Sequence, residues 1–301
     1  MVAGILAAAL KAVIPAAGLG TRMLPATKSQ PKEMLPIVDR PAIQWVVEEA
    51  IAAGCEEIVV VSGPTKRAME EHFGPSDALL RRLEGAGNVD AAAKVRAVVE
   101  MGRRVRFVEQ AHPLGLGHAV LTARAAVGRG PFAVLLGDDI LVGRARAGAR
   151  AGDGPGPGGA EAGANATRML ADAHARLGGS VLCVQEVAPD DVRRYGVIDP
   201  GPVGAPASGP VPVRAMVEKP DPARAPSRLA AVGRYVLTPA IFDELEAGKP
   251  DARGELQLTD AIGALARSGR EPVHALRFHG RRYDVGTLPG WLEANVALAG
   301  P

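Results

Sequence analysis

Apolar residues along this chain follow two rhythms. Short, largely apolar runs occur at Ala12-Val13-Ile14, Glu57–Ser62, Val105–Val108, Ala133–Leu136, Ser180–Val184 and Leu229–Leu237. Runs of this length, rich in Val, Ile and Leu, predict strands buried on both faces. Between them, apolar positions recur every three or four residues. Ala42–Ala53 carries Ile43, Val46, Val47, Ala50 and Ile51 on one helical face and stops at Gly54. The same spacing predicts helices over Lys66–Phe73, Asp77–Glu84, Thr167–Leu177, Pro239–Glu246, Thr259–Arg267 and Leu288–Leu298, with Thr259 as an N-cap. Val273–Phe278 alternates and reads as a late strand. Val213–Val217 is a short strand running into Glu218.

Strands alternating with helices predict an α/β fold with a doubly wound, mostly parallel, Rossmann-like sheet. Right-handed crossovers place the loops after the parallel strands on one edge. The loop after Ile14 and the turn at Asp138 are then expected to face one crevice. Gly143–Ala164 breaks both rhythms, with Gly, Ala, Pro and Arg and almost no large apolar residue. Such a stretch cannot bury enough surface to offset chain entropy, so residues 143–165 are expected to be a flexible surface segment. No internal repeat and no clean domain boundary appears, which leaves one continuous domain.

Composition narrows the function classes. The chain has 301 residues and is 47% hydrophobic but only 3% aromatic. The core must be mostly Ala, Val, Leu and Ile, and stacking surfaces for unpaired bases are not expected. A formal net charge of +2 excludes the broad basic field of a general nucleic-acid binder. Cys55 and Cys183 lie beside strand-like runs without metal-ligand spacing, and read as small buried hydrophobes. Met1–Leu10 is too short to span a bilayer and lacks a basic leader region, so no membrane anchor and a cytoplasmic location are expected.

The candidate chemistry centres on Lys11–Pro41. After the first strand come Ala16, Ala17, Gly18, Leu19, Gly20, Thr21 and Arg22. Small residues let successive backbone N–H groups form an anion nest, and Arg22 adds a planar cation for phosphate. Lys32, after Pro31, is a second cation. The loop is no dinucleotide fingerprint, because Arg22 and Pro25 fall where the helix should start. It is no P-loop either, since no Gly-Lys-Ser/Thr follows. Asp138 ends a buried strand, where a charge has no packing reason to be. Read alone, Asp284 is a turn residue and Glu218-Lys219-Pro220 an exposed strand end.

Taken together, Gly18-Leu19-Gly20-Thr21-Arg22 and Pro31-Lys32-Glu33-Met34-Leu35-Pro36 resemble the motif of the sugar-nucleotidyltransferases. In detail the run from Arg22 to Pro36 is similar to the bacterial UTP–glucose-1-phosphate uridylyltransferases. Tyr283-Asp284-Val285-Gly286 with Gly290-Trp291 resembles their closing motif, and the likeness runs from Lys11 to about Asn295 outside the Gly/Pro-rich segment. The resemblance implies a Mg2+-dependent transfer of a uridylyl group from UTP to glucose 1-phosphate. It implies a nucleotide-binding half over 11–142 continuous with a sugar-binding and closing half over 166–298, and a homo-oligomer.

The resemblance also implies roles. Arg22 and Lys32 would stabilise charge on the triphosphate, with Ala17, Gly18, Gly20, Thr21 and Glu33 in the nucleotide site. Asp138 and Asp284 would hold the metal. Gln110 would read uracil by pairing both a donor and an acceptor, and Gly115 would let the base approach the backbone. Glu218 would accept from sugar hydroxyls, Lys219 would position the acceptor phosphate, and Gly196 and Gly233 would lie against the sugar. His118 reads as structural, because a sugar phosphate oxyanion attacks without losing a proton. Gly254–Asp260 resembles a family hallmark with no evident physical role. The neighbouring readings are thymidylyl or cytidylyl transfer to a hexose 1-phosphate, and a non-catalytic sugar-nucleotide sensor. Uracil and thymine differ by one methyl, so some side activity with dTTP is expected.

Overall fold

The computed structural model describes residues 10–143 and 165–299, apart from 203 and 207. The segment expected to be flexible lies outside the described residues, except for its ends at 143 and 165. The first half runs β1 (Lys11–Ala16), β2 (Pro36–Ile37), β3 (Arg40–Pro41), α1 (Ala42–Ala52), β4 (Glu57–Ser62), α2 (Arg67–Phe73), α3 (Asp77–Gly85), α4 (Val89–Gly102), β5 (Val105–Glu109), α5 (Leu116–Thr122), α6 (Arg124–Val127), β6 (Phe132–Leu135) and β7 (Asp139–Val142). The second runs α7 (Ala166–Leu177), β8 (Ser180–Glu186), β9 (Gly196–Asp199), β10 (Val211–Pro212), β11 (Ala215–Glu218), β12 (Leu229–Leu237), α8 (Ala240–Ala247), α9 (Leu258–Ser268), β13 (Val273–Arg277), β14 (Arg281–Asp284) and α10 (Leu288–Leu298).

The main sheet has the order β10-β13-β8-β12-β6-β1-β4-β5. Pairs β1–β4, β1–β6, β4–β5 and β8–β13 are parallel. β12 departs from the expected doubly wound pattern. It runs antiparallel to both β6 and β8 in the middle of the sheet. It follows the antiparallel β9–β11 pair, after which the chain re-enters the sheet. Its nine residues are all buried, as the largely apolar run Leu229–Leu237 leads one to expect, Arg234 included.

Strand alternation sorts the core onto two faces. Val13, Val59, Val61, Phe132 and Val134 face one way and pack with Val120, Ile241, Phe242 and Ile262 from α5, α8 and α9. Ala12, Ile14, Ile58, Val60 and Leu135 face the other way, against Ile43, Val47, Met69 and Leu170 from α1, α2 and α7. A third cluster joins β7, β14 and α10 through Ile140, Tyr283, Val285, Ala294 and Leu298. Cys55 and Cys183 are buried free thiols, and burial pushes the Cys55 thiol up to about 12. No helix among the described residues is long and apolar enough to cross a membrane.

Three expectations about elements change. α4 has no counterpart in the sequence reading, because Ala92 is its only fully buried residue and its apolar period is weak. α5 (Leu116–Thr122), like α4, has no counterpart among the helices expected from the sequence. Thr259 does not cap α9: Gln257 stands at that place and makes no side-chain cap bond.

Candidate active site

The carboxyl ends of β1, β4, β5 and β6 lie on one edge of the parallel strands, and the candidate residues gather there. Ala17, Gly18, Gly20 and Thr21 leave β1, and Gly20 adopts φ +67 to start the short 3-10 turn Thr21–Met23. Below them, Lys66 Nζ donates to Ala16 O at 2.5 Å and to Glu33 Oε2 at 2.9 Å. Glu33 is therefore enclosed beneath the loop and braces it through Lys66. Burial pushes the Glu33 carboxyl up and the Lys66 ammonium down, each partly offset by the other's charge.

The turn after β6 carries Asp138. Lys32 Nζ donates to its Oδ2 at 2.5 Å, and an Arg22 guanidinium nitrogen stands 3.8 Å from the same oxygen. Burial alone would lower the Lys32 ammonium, but Asp138 and Glu33 outweigh it and hold it above the ordinary lysine value. Burial alone would raise Asp138, but Lys32 and Arg22 hold it below the usual carboxylate range. The fold thus brings three of the candidates together, from positions 10 and 106 residues apart in the chain.

The antiparallel β7–β14 pair sets Asp284 opposite Asp139, and Val285 N donates to Asp138 O at 2.9 Å. Asp138 and Asp284 keep about a fifth of their side chains exposed, 21% and 19%. The closing motif acquires a physical reason here: a Cβ on Gly286 would stand 2.5 Å from Asp138 Oδ2. The donor set fits a hard divalent cation. Asp138 immediately precedes β7 and Asp284 ends its antiparallel partner β14, so the two carboxylates lie at the same end of this pair; no cluster of three or more acid, His or Cys ligands forms among the described residues. Mg2+ commonly takes one or two carboxylates and completes its shell with phosphates and water.

Sequence reasoning missed what holds this turn. Arg234, 1% exposed on β12, donates from Nε to Glu49 Oε1 at 3.0 Å and from Nη2 to Glu49 Oε2 at 2.5 Å and Asp139 O at 2.9 Å. Its Nη1 donates to Leu136 O at 3.4 Å. One guanidinium therefore grips both ends of Leu136–Asp139. Glu49 is itself fixed by Thr167 Oγ1 at 2.7 Å. Arg282, also missed, pairs with buried Asp139 at 2.6 Å and donates to the Tyr195 hydroxyl at 2.9 Å. Gly233 sits against the Asp139 carboxylate, where a Cβ would collide with Oδ2. The burial of Glu49 and Arg234 has no local signal in the chain; they are 185 residues apart.

Gly196 and Glu218 are cross-strand partners in the β9–β11 pair. Lys219 N donates to Tyr195 O at 2.9 Å, and Lys219 Nζ donates to Glu218 Oε1 at 2.6 Å. Lys219 adopts φ +47, a conformation a non-glycine residue rarely holds without a local reason. Arg194, beside Tyr195, reaches to 3.7 Å from Asp284 and so joins this loop to the metal-candidate carboxylate.

Gln110 and Gly115 come together at the end of β5. The Gln110 side-chain nitrogen lies 3.4 Å from Gly115 O and 2.7 Å from His118 Nδ1. The amide nitrogen is thus engaged inward, where the sequence reading had both ends of the amide facing a base. Gly115, at φ +99, is required by packing: a Cβ would stand 2.7 Å from Leu256 O. That contact gives Gly254–Asp260 its role. Leu256 N donates to Leu114 O and Gly117 N donates to Leu256 O, both at 2.8 Å. The hallmark segment clamps Leu114–Gly117, and its Thr259 packs on Gly196.

The nucleotidyl transferase family profile matches residues 11–150 and 160–300. A Staphylococcus epidermidis UTP–glucose-1-phosphate uridylyltransferase is 46% identical over 289 residues, covering 96% of this chain and 92% of that protein. A solved UDP-glucose pyrophosphorylase in complex with UDP-glucose superposes with a TM-score of 0.79 at 38% identity, over 96% of this chain and 98% of that one. A UTP-bound enzyme of the same kind from Acinetobacter baumannii gives 0.80 at 37% identity, over 96% and 93%. With both halves matched and the phosphate-loop, carboxylate and closing-motif residues gathered on one edge, the chain belongs to the nucleotidyl transferase family.

Proposed function

We infer that this chain is a UTP–glucose-1-phosphate uridylyltransferase, forming UDP-glucose and pyrophosphate. The observation that carries the reading is the convergence of Lys32 and Arg22 on Asp138 beside the glycine loop of β1. Relatives at this level of identity over almost the whole chain bear the same activity in their names.

In the reaction, a phosphate oxygen of glucose 1-phosphate attacks the α-phosphorus of UTP. The new P–O bond forms as the bond to the bridging oxygen of the β-phosphate breaks, and pyrophosphate leaves in line. The attacking oxygen is already anionic, so no base is needed. The remaining demand is positioning and charge stabilisation. The loop Ala17–Thr21 offers backbone N–H groups to the triphosphate, and Lys32 and Arg22 neutralise charge on it and on the leaving group. Asp138 and Asp284 would hold Mg2+, which would supply further neutralisation of the phosphates. Lys219 positions the acceptor phosphate as a point charge, and Glu218 accepts from paired sugar hydroxyls. Residues 11–142 form the nucleotide half and 166–298 the sugar and closing half. A cytoplasmic location and an assembly of like subunits belong to the same reading.

Pyrophosphate release with glucose 1-phosphate and Mg2+, measured across UTP, dTTP, CTP, ATP and GTP, tests it. Preference for UTP is expected. Preference for dTTP keeps the mechanism and moves the base assignment, and a folded protein releasing nothing with any of the five would sink the reading.

A further inference from the structure

We propose that His118 locks the orientation of the Gln110 side-chain amide and so makes the base site selective for a pyrimidine that carries a hydrogen on N3. The proposal rests on the uridylyl-transfer reading and deepens it.

Gln110 is held at both ends. Its backbone N–H donates to Ser62 O at 2.8 Å, and its side chain is nearly enclosed, at 3% exposure. The side-chain nitrogen lies 2.7 Å from His118 Nδ1 and 3.4 Å from Gly115 O. An amide nitrogen has no lone pair to offer, so it donates in both contacts. Nδ1 therefore accepts, and the ring proton sits on Nε2. The amide oxygen is left over. Among the described residues it accepts no hydrogen bond, and it is not one of the two side-chain atoms fully enclosed without a partner, Asp139 Oδ2 and Arg282 Nε. Gln110 thus turns its donors inward and presents an acceptor.

Uracil carries N3–H between two carbonyls, whereas N3 of cytosine is a lone pair. An amide oxygen accepts from the first and repels the second. The two ends of a side-chain amide are almost alike in size, so a free Gln would turn over and offer its NH2 to cytosine. His118 makes the two orientations unequal. Turned over, the oxygen would face the lone pair of Nδ1 and the carbonyl of Gly115. A change of His118 tautomer would relieve only the first clash. The backbone that carries the imidazole is fixed in the first turn of α5, where Thr122 Oγ1 donates to His118 O at 2.8 Å and Gly117 N is bonded to Leu256 O. His118 is a positioning residue that acts through Gln110 and discriminates between bases.

The test compares kcat/KM for UTP, CTP and dTTP in the wild type, His118→Asn and His118→Phe. Asn sets a carbonyl oxygen near the place of Nδ1 and preserves the lock; Phe removes the acceptor at similar bulk. In His118→Phe the UTP-to-CTP ratio should fall about tenfold or more, the scale of one misplaced buried hydrogen bond. In His118→Asn it should stay near the wild-type ratio. The UTP-to-dTTP ratio should not move in either variant, because thymine carries the same N3–H. An unchanged UTP-to-CTP ratio in folded His118→Phe overturns the proposal while leaving uridylyl transfer intact. A wild type that does not use UTP overturns both. Nitrogen-15 shifts of the His118 ring in the wild type provide a second measurement that needs no variant. The Nε2–H tautomer at neutral pH supports the lock, and the Nδ1–H tautomer overturns it.

Discussion

The turn that carries Asp138 and the loop that carries Lys219 handle charge differently. Around the first, Glu33, Asp139 and Arg234 are almost wholly enclosed, and each is bonded to a fixed partner. Around the second, the side chains of Lys219 and Arg194 are about half exposed, at 45% and 51%. Enclosed charges must be compensated by the fold before any ligand arrives, because an unpaired buried charge is too costly to keep. Half-exposed charges are compensated by water and can be reoriented cheaply. The difference fits the chemistry proposed for each side. Negative charge builds up on the triphosphate as pyrophosphate departs, and fixed groups stabilise it without reorganising. The acceptor sugar phosphate only has to be gripped and aimed.

Variants should expose this contrast, the enclosed network first. Arg234→Met strands Glu49 and frees the Leu136 and Asp139 carbonyls. Removing one partner of a buried pair typically costs about 3–5 kcal/mol, so the urea midpoint should fall steeply. A shift no larger than that of an exposed-site variant would erase the distinction between the two regions. Lys32→Ala comes next. Turnover should drop on the order of 10²–10³-fold, the scale seen when one fixed transition-state donor is removed, with the unfolding midpoint moving far less. Steady-state kinetics beside a thermal melt separates the two effects, and intact turnover would remove Lys32 from the mechanism.

The Lys32–Asp138 pair also makes a pH statement. Asp138 is lowered from 3.8, so its stabilising contribution is present above that value and is lost as pH falls through its folded pKa. Lys32 is raised from 10.5, so its contribution is present below that value and is lost as pH rises through its folded pKa. The wild type should therefore exceed a Lys32→Met/Asp138→Asn variant in stability by a constant margin between about pH 4 and 10, with the margin shrinking on either side. A margin independent of pH would mean the pair contributes nothing through charge. The smallest effect is expected on the exposed side. Lys219→Gly relieves φ +47 and should leave stability unchanged or raise it by up to about 1 kcal/mol. It should also raise KM for glucose 1-phosphate with little change in KM for UTP.

The legible parts of this molecule were those encoded locally. The buried runs at Glu57–Ser62 and Leu229–Leu237 became β4 and β12 residue for residue, and Leu288–Leu298 became α10. The β-strand ending before Asp138 exposed that carboxylate as a charge without a packing reason. What stayed hidden depends on partners distant in the chain. Arg234 reads as a polar interruption of an apolar run until Glu49 is brought beneath it. Glu33 lies in a motif that points to the nucleotide, yet its side chain is bound to Lys66 on the far side of the loop. The antiparallel course of β12 was equally invisible, since a two-sided buried strand has the same composition in either direction. The hallmark Gly254–Asp260 had no local rationale because its role, clamping Leu114–Gly117, lies in backbone contacts that any side chain would permit on one partner and only small residues on the other.

The position of β12 has a mechanical consequence. It is hydrogen-bonded to β6 on one side and β8 on the other, so the strands of the first part of the chain and those of the second belong to one continuous plate. A clam-like hinge between the halves would have to tear a ladder in the middle of the sheet, and Arg234 would lose Glu49 or the 136–139 turn in the process. Any large movement is thereby left to segments outside this ladder, while the Asp138 turn, gripped by Arg234 at Leu136 and Asp139, keeps its geometry.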